Sequence, residues 1–120
     1  MTKDGHVVIA DFNGNIAQKY IFEYDSNEKK YHIKSSANLQ YLVGPGLFAG
    51  ADIVTKPQGE KSGASWSIDP STKVGKGFFN LRSFTGHTID VPANNYNNGT
   101  RVQKHGFHGD TNQTFLIIER

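Results

Sequence analysis

The chain has 120 residues, no cysteine and a formal net charge of +2, from 13 basic and 11 acidic side chains. This length suffices for one domain with its own hydrophobic core. The lack of cysteine excludes disulfides, a thiolate zinc site and a cysteine nucleophile, and the weak charge gives no reason to expect nucleic acid or an anionic membrane as a partner.

Ten short segments rich in Val, Ile, Tyr, Phe and Thr follow one another along the chain. In order they span residues 6–10, 19–24, 30–35, 40–44, 52–56, 65–69, 78–83, 87–91, 100–104 and 114–119. Clusters of Gly, Asn, Asp, Ser and Pro separate them, and we find no stretch of about a dozen residues with apolar positions at helical spacing. The pattern predicts an all-β barrel or sandwich with almost no helix.

A weak internal repeat refines this prediction. When Ile53 is aligned with Val102, Trp66 falls on Phe115, in both cases thirteen residues further along the chain. Tyr20 takes the same place near the N-terminus. The repeat predicts units of about 47 residues, with the three aromatic side chains packed in the core around a pseudo-threefold axis.

Three four-stranded units around such an axis form a β-trefoil. We expect residues 1–26 to be the second half of the first unit, 27–73 the second unit and 74–120 the third. Two strands of the first unit would then be absent, so the hypothesis predicts exposed strand edges, a homo-oligomer or a second chain that completes the unit.

The third unit concentrates polar side chains between residues 88 and 115. Its segments read "IDV" with Asp90, "QKH" with Gln103 and His105, and "NQTF" with Asn112, Gln113 and Phe115. In this order and spacing the chain resembles the ricin-type β-trefoil lectins, whose sugar site runs from a strand-end Asp through a Gln-x-aromatic strand to an Asn-Gln pair. The resemblance implies a lectin that binds glycans containing galactose or N-acetylgalactosamine, without a cofactor, a metal or a reaction.

Residue chemistry supports this interpretation. The carboxylate of Asp90 can accept two bonds from the vicinal hydroxyls of a sugar, and charged acceptors form the stronger bonds. The Asn112 amide both accepts and donates, which suits a hydroxyl that does both. The alternative is purely structural: residues 94–99 form a long turn, since Asn tolerates left-handed backbone angles, and Asp90 satisfies backbone N–H groups at a strand end.

Aromatic and amide side chains complete the predicted site. His105 would cover the apolar C–H face of the sugar ring, and Tyr96 or Phe107 on adjacent loops could replace or assist it. Gln103 and Gln113 are expected to hold Asp90 and the loop in place more than to touch sugar.

The other two units depart from the pattern. In the second unit the corresponding places are occupied by Tyr41, Val54, Lys56, Gly63 and Ala64, without a carboxylate. In the first unit Gln18 matches Gln113, but Ala17 replaces the asparagine and the strand that would carry the aspartate is absent. We therefore expect one functional sugar site.

Three other interpretations have less support. The glycine-rich segment 44–50 lacks the spacing of a phosphate-binding loop. His105, His108 and Asp110 lie within six residues of one loop, which leaves little room for a metal site. No nucleophile and base are recognisable, so we do not expect an enzyme. The main rival is a β-trefoil scaffold for protein interaction, such as a protease inhibitor or a cytoskeletal binder, with a vestigial sugar site. A third possibility is a targeting module of a larger toxin or glycosidase.

The N-terminal apolar run of about five residues is too short for a signal peptide or a membrane-spanning helix. Together with the lack of cysteine, this favours a cytoplasmic protein without membrane insertion.

Overall fold

The structure, a computed structural model, describes residues 1–11, 13–57 and 63–118. Its eleven strands are β1 (Thr2–Lys3), β2 (His6–Val7), β3 (Tyr20–Asp25), β4 (Lys30–Ser35), β5 (Tyr41–Val43), β6 (Val54–Lys56), β7 (Ser65–Pro70), β8 (Phe78–Ser83), β9 (Thr88–Asp90), β10 (Gln103–His105) and β11 (Phe115–Leu116). The helical segments in these ranges are three 3-10 turns, at Ile16–Gln18, Pro92–Asn94 and Thr111–Gln113. Residues 58–62 of the predicted turn at 57–63, and Glu119 at the end of the last predicted strand, lie outside the described residues.

No helix in the described ranges has the length and hydropathy needed to cross a membrane. The short segments rich in β-branched and aromatic residues form strands, and all the strand pairs of the described residues are antiparallel.

Three backbone hydrogen bonds mark a pseudo-threefold axis. Val7 N–H donates to Ile53 O (3.1 Å), Ile53 N–H donates to Val102 O (3.0 Å), and Val102 N–H donates to Val7 O (2.9 Å). The bonds form a closed ring, so these three residues are equivalent positions in three units. This agrees with the alignment of Ile53 with Val102.

The long strands repeat the same register from unit to unit. Tyr20 lies opposite Ser35 in the pair β3–β4, and Trp66 lies opposite Ser83 in the pair β7–β8. Trp66 is fully buried in the main core, and Tyr20 and Phe115 pack against it. The Trp66 indole N–H donates to Leu42 O at 3.0 Å, which satisfies its buried polar atom.

The first unit differs in one respect from the prediction, because it contains three strands where two were expected. β1 pairs with β2 across the turn at Asp4 and Gly5, and β2 pairs with β6. A two-residue strand carries no alternating pattern that a sequence could reveal. The second and third units each contain four strands, β4 to β7 and β8 to β11.

Candidate functional site

A buried carboxylate surrounded by side-chain amides lies in the third unit. Asp90 is 3% exposed. Its Oδ1 accepts from Gln103 Nε2 at 3.1 Å, and its Oδ2 accepts from Asn112 Nδ2 at 3.3 Å and from Gln113 Nε2 at 2.8 Å. The strands explain the meeting, since Gln103 lies directly opposite Asp90 in the pair β9–β10. Four of the residues that the sequence selected are thus in one hydrogen-bonded network.

Gln113 also fixes the loop that precedes it. Its side chain is fully buried; Nε2 donates to Gly106 O at 2.8 Å, and Oε1 accepts the N–H groups of His108 (2.9 Å) and Gly109 (3.0 Å). Gly109 has φ +78°, in the left-handed region that glycine adopts without strain. One buried amide therefore holds both the carboxylate and the loop.

Asn112 connects this network to the surface. Its Nδ2 donates to Asp90 and to Val91 O (3.2 Å), whereas its Oδ1 has no hydrogen-bond partner among the described residues. The residue lines an open pocket of about 700 Å³. A carbonyl oxygen held in place by its own amide nitrogen is a ready acceptor for a ligand hydroxyl.

The remaining walls of the pocket are mostly polar. They are formed by Lys73, Val74, Asn94, His108, Asp110 and Thr111. Asp110, which is largely exposed, lies 3.2 Å from Lys73 Nζ and 3.3 Å from His108 Nδ1. The chemistry of the walls thus combines carboxylate, amide, hydroxyl and ammonium groups with one aliphatic side chain.

The predicted aromatic contacts are not part of this pocket. His105 is exposed on β10, with Nδ1 3.4 Å from Gly106 O. Tyr96 is exposed and donates to Asn94 Oδ1 at 3.2 Å. Phe107 lies under the guanidinium of Arg82, whose Cζ is 4.4 Å from the ring centroid. The structure therefore brings together the carboxylate and the amides but places the three rings elsewhere around them.

Sequence reasoning missed several pocket residues. Lys73 and Val74 come from the turn between β7 and β8, and Asn94 comes from the 3-10 turn after β9. Lys73 contacts Asp110, which lies 37 residues later in the sequence. The Asn-rich stretch at 94–98 was the signal that could have pointed to Asn94.

The equivalent place in the second unit is filled by an apolar cluster. Strand register puts Val43 at the place of Asp90 and Val54 at the place of Gln103, which corrects the earlier assignment of Tyr41. Gly44 N–H donates to Gly63 O, and Val91 N–H donates to Asn112 O. Gly63 is therefore equivalent to Asn112, and the next residue, Ala64, is equivalent to Gln113. These apolar residues, with Tyr41, form a second small core.

The first unit keeps the loop-holding amide and lacks the carboxylate. Gln18 Nε2 donates to Asp11 O at 2.7 Å and its Oε1 accepts from Asn13 N–H at 2.9 Å, the same pattern that Gln113 makes with Gly106 and His108. The strand expected to be absent is present as β1, and neither of its residues is acidic. The buried carboxylate–amide network is therefore confined to the third unit among the described residues.

A buried lysine beside the site holds a neighbouring loop. Lys104, between Gln103 and His105, is fully buried, and its Nζ lies 3.4, 3.1 and 2.6 Å from the carbonyl oxygens of Gly44, Pro45 and Gly46. Burial lowers the pKa of Lys104 below its ordinary value. The sequence pattern did not indicate this role, since a lysine in a strand is usually exposed to solvent.

Comparison with solved structures identifies the fold. The chain is similar to ThreeFoil, a designed three-fold symmetric protein (18% identity, TM-score 0.86, all of this chain and 86% of that one). It is also similar to the Rhizoctonia solani agglutinin (16% identity, TM-score 0.75, 90% and 73%) and to a Macrolepiota procera ricin B-like lectin in complex with lactose (21%, 0.69, 86% and 71%). No protein-family model and no curated protein matches the sequence. The predicted β-trefoil is confirmed, and it is the fold of ricin B-like lectins.

Proposed function

We propose that the chain is a carbohydrate-binding protein with one sugar site, in the third unit, at the pocket beside Asn112. The observation that carries the proposal is the coincidence of the buried Asp90 network with a polar pocket in the same unit. In the second unit the same place is apolar. Since fold alone does not determine function, the argument depends on these side chains, and the two lectins of similar fold add support.

In the proposed complex Asp90 acts by positioning. Three amide donors already occupy its oxygens and it is almost fully buried, so its effect on a sugar passes through Asn112. The Asn112 Oδ1 accepts from one sugar hydroxyl, and the exposed carboxylate of Asp110 accepts from two adjacent ones. The Val74 side chain offers an apolar contact for the C–H face of the ring.

Galactose and N-acetylgalactosamine are the sugars that we propose. The acceptor pair of a carboxylate and an amide suits vicinal hydroxyls, and lactose, the ligand of the similar Macrolepiota procera lectin, contains galactose. An open, shallow pocket without a stacked aromatic ring predicts a dissociation constant between about micromolar and millimolar, or roughly −4 to −8 kcal/mol.

The test is a titration of the isotope-labelled chain with galactose, N-acetylgalactosamine and lactose, followed by backbone amide NMR shifts. We expect saturable shifts in residues 73–74, 94 and 108–112, and their loss in Asn112→Ala. Asn38→Ala is the matched control, because Asn38 bonds to Thr55 in the second unit. Absence of shifts with these sugars and with a broad glycan array would refute the proposal, and shifts confined to His105, Tyr96 and Phe107 would move the site to the aromatic side.

One observation favours the rival function, a scaffold for protein interaction. The loop that Lys104 holds presents two apolar side chains, Leu47 (63% exposed) and Phe48 (83% exposed). Exposed apolar groups on an anchored loop are typical of protein contacts. A chain that fails to bind any glycan, and whose complex with a purified partner is lost in Phe48→Ser but kept in Asn112→Ala, would establish the scaffold function.

A further inference from the structure

The ring of long strands is open at one place. Each of β4, β7 and β8 lies between two strands in the order β3–β4–β7–β8–β11, in which β11 has two residues and each of the others has six. In the described part of the chain β3 pairs only with β4, and β11 pairs only with β8. The free edges of β3 and β11, which by the pseudo-threefold arrangement border the same gap and which we call the seam, are therefore of the kind that accept another strand.

Burial of the core aromatic residues shows the same opening. Trp66, between two paired strands, is fully buried, whereas its equivalents Tyr20 and Phe115, next to the seam, are only partly buried. Four further apolar side chains on the two edge strands or directly after β11 are well exposed: Ile21 (42%), Tyr24 (57%), Leu116 (53%) and Ile118 (58%). Exposed apolar side chains on strands with a free edge are typical of an interaction surface.

The register of the observed pairs β3–β4, β4–β7, β7–β8 and β8–β11 indicates which strand fits in the seam. β4 and β8 are equivalent strands and share the pattern aromatic, polar, aliphatic, basic, Ser, as Tyr31-His32-Ile33-Lys34-Ser35 and Phe79-Asn80-Leu81-Arg82-Ser83. Each is antiparallel to both of its neighbours. A strand of this pattern is therefore what the pseudo-threefold arrangement places in the seam.

We propose that the seam binds an extended peptide strand, antiparallel to both β3 and β11, with the sequence pattern of β4 and β8. Tyr31 lies opposite Trp66, and Phe79 lies opposite Phe115, so the aromatic residue of the bound strand lies opposite Tyr20. On the other side of the same strands, Ser35 lies opposite Tyr20 and Ser83 lies opposite Trp66. Because Phe115 is the equivalent of Tyr20 and Trp66, the serine of the bound strand lies opposite Phe115. This is recognition by strand addition, in which the backbone supplies the hydrogen bonds and alternate side chains supply the specificity.

β11 changes one contact of this pattern. Continuing its register, Ile118 falls at the place of Glu23 in β3 and Asp69 in β7, so this edge carries an aliphatic residue where β3 and β7 carry an acid. In the pair β3–β4, Glu23 lies 3.6 Å from Lys34 Nζ. The basic residue of the bound strand therefore forms no such ion pair with β11, and binding depends on the backbone hydrogen bonds and the apolar contacts.

The test uses the 120-residue chain, isotope-labelled, and a synthetic peptide of residues 77–84. We expect saturable amide shifts in residues 20–25 and 115–118, and slower hydrogen exchange of the same amides. The same peptide with Leu81→Pro should not bind, because proline removes a strand donor. The chain variant Leu116→Lys should weaken binding at least tenfold, and Leu47→Lys, an equally exposed leucine outside the seam, should leave it unchanged.

Three results would overturn the proposal. The first is absence of shifts at millimolar peptide. The second is equal binding of the Leu81→Pro peptide. The third is concentration-dependent shifts of the same edges in the absence of peptide, which would assign the seam to a second copy of the chain.

Discussion

Replacing Asp90 with valine gives the sharpest test of the network in the third unit. The substitution removes the acceptor of three amide N–H groups, from Gln103, Asn112 and Gln113. A buried donor without a partner costs about 1–3 kcal/mol. Because the Gln103 bond is only partly buried, we expect a total loss of about 3–5 kcal/mol, a large part of the roughly 5–15 kcal/mol that stabilises a domain.

The assay is urea denaturation followed by Trp66 fluorescence, with the slope of the transition as a check on two-state behaviour. The double variant Asp90→Val with Gln103→Val copies the Val43–Val54 pair of the second unit. It should lose at least about 1 kcal/mol less than the sum of the single variants, because neither partner is then left unpaired. The control Asp52→Asn, at an exposed ion pair with Arg101, should change stability by about 0–1 kcal/mol. A loss below about 1 kcal/mol in Asp90→Val, or strict additivity, would refute the network.

The remaining predictions concern the core and two titrations. Trp66→Ala should cost about 3–5 kcal/mol, since the side chain is fully buried; because the chain has one tryptophan, this variant is followed in urea by circular dichroism, and a loss below about 2 kcal/mol would contradict its central place. Burial lowers the pKa of Lys104 below 10.5, so the unfolded chain binds more protons and stability should rise with pH just below 10.5. Denaturation of the wild type and of Lys104→Met at about pH 9 and about pH 10, above the range from about 6 to 8.0 in which the buried N-terminal amine also makes stability rise with pH, should show a steeper rise in the wild type. The hydrogen bond to Glu23 raises the pKa of Tyr41, and burial raises the pKa of Tyr20, above 10.0; absorbance at about 295 nm should show two of the five tyrosines ionising late, and one of them should vanish in Tyr41→Phe.

The fold could be predicted from the sequence because its signals are local or periodic. Short β-branched and aromatic runs separated by turn residues predict antiparallel strands. The spacing from Ile53 to Trp66 recurs from Val102 to Phe115, and the first residues of both pairs meet at the pseudo-threefold axis. These positions repeat because each unit must supply the same residue to a shared core.

The second unit shows where a constant offset fails. Val43 and Val54 face each other across an eleven-residue step, whereas Asp90 and Gln103 face each other across thirteen. The connection in the third unit is therefore two residues longer, and an alignment fixed at Ile53 selects Tyr41 where the strand register gives Val43. Side-chain periodicity does not encode the length of a loop. The assignment of Tyr41 could therefore be corrected only from the strand pairs in the structure.

The pocket could not be predicted because its walls come from separate parts of the chain. Asn112 was selected from its local pattern, but Lys73 and Val74 reach it only through the pairing of β7 with β8. The sequence likewise indicated that amides would surround Asp90, and the burial of the carboxylate emerged only with the packing of Gln113 below it.

Retention of the polar network in one unit is itself an argument for function. The second unit shows that this fold accepts valine and alanine at the same places, with a small apolar core as the result. Exchanging both partners of a buried hydrogen bond for apolar groups of similar shape is nearly neutral in stability, so stability alone does not favour Asp90 with Gln103 over Val43 with Val54. The network provides a fixed amide, Asn112, which the apolar cluster lacks, and its oxygen lines a polar pocket without a hydrogen-bond partner among the residues that the structure describes. This difference between the two units is the reason for placing the proposed sugar site at Asn112.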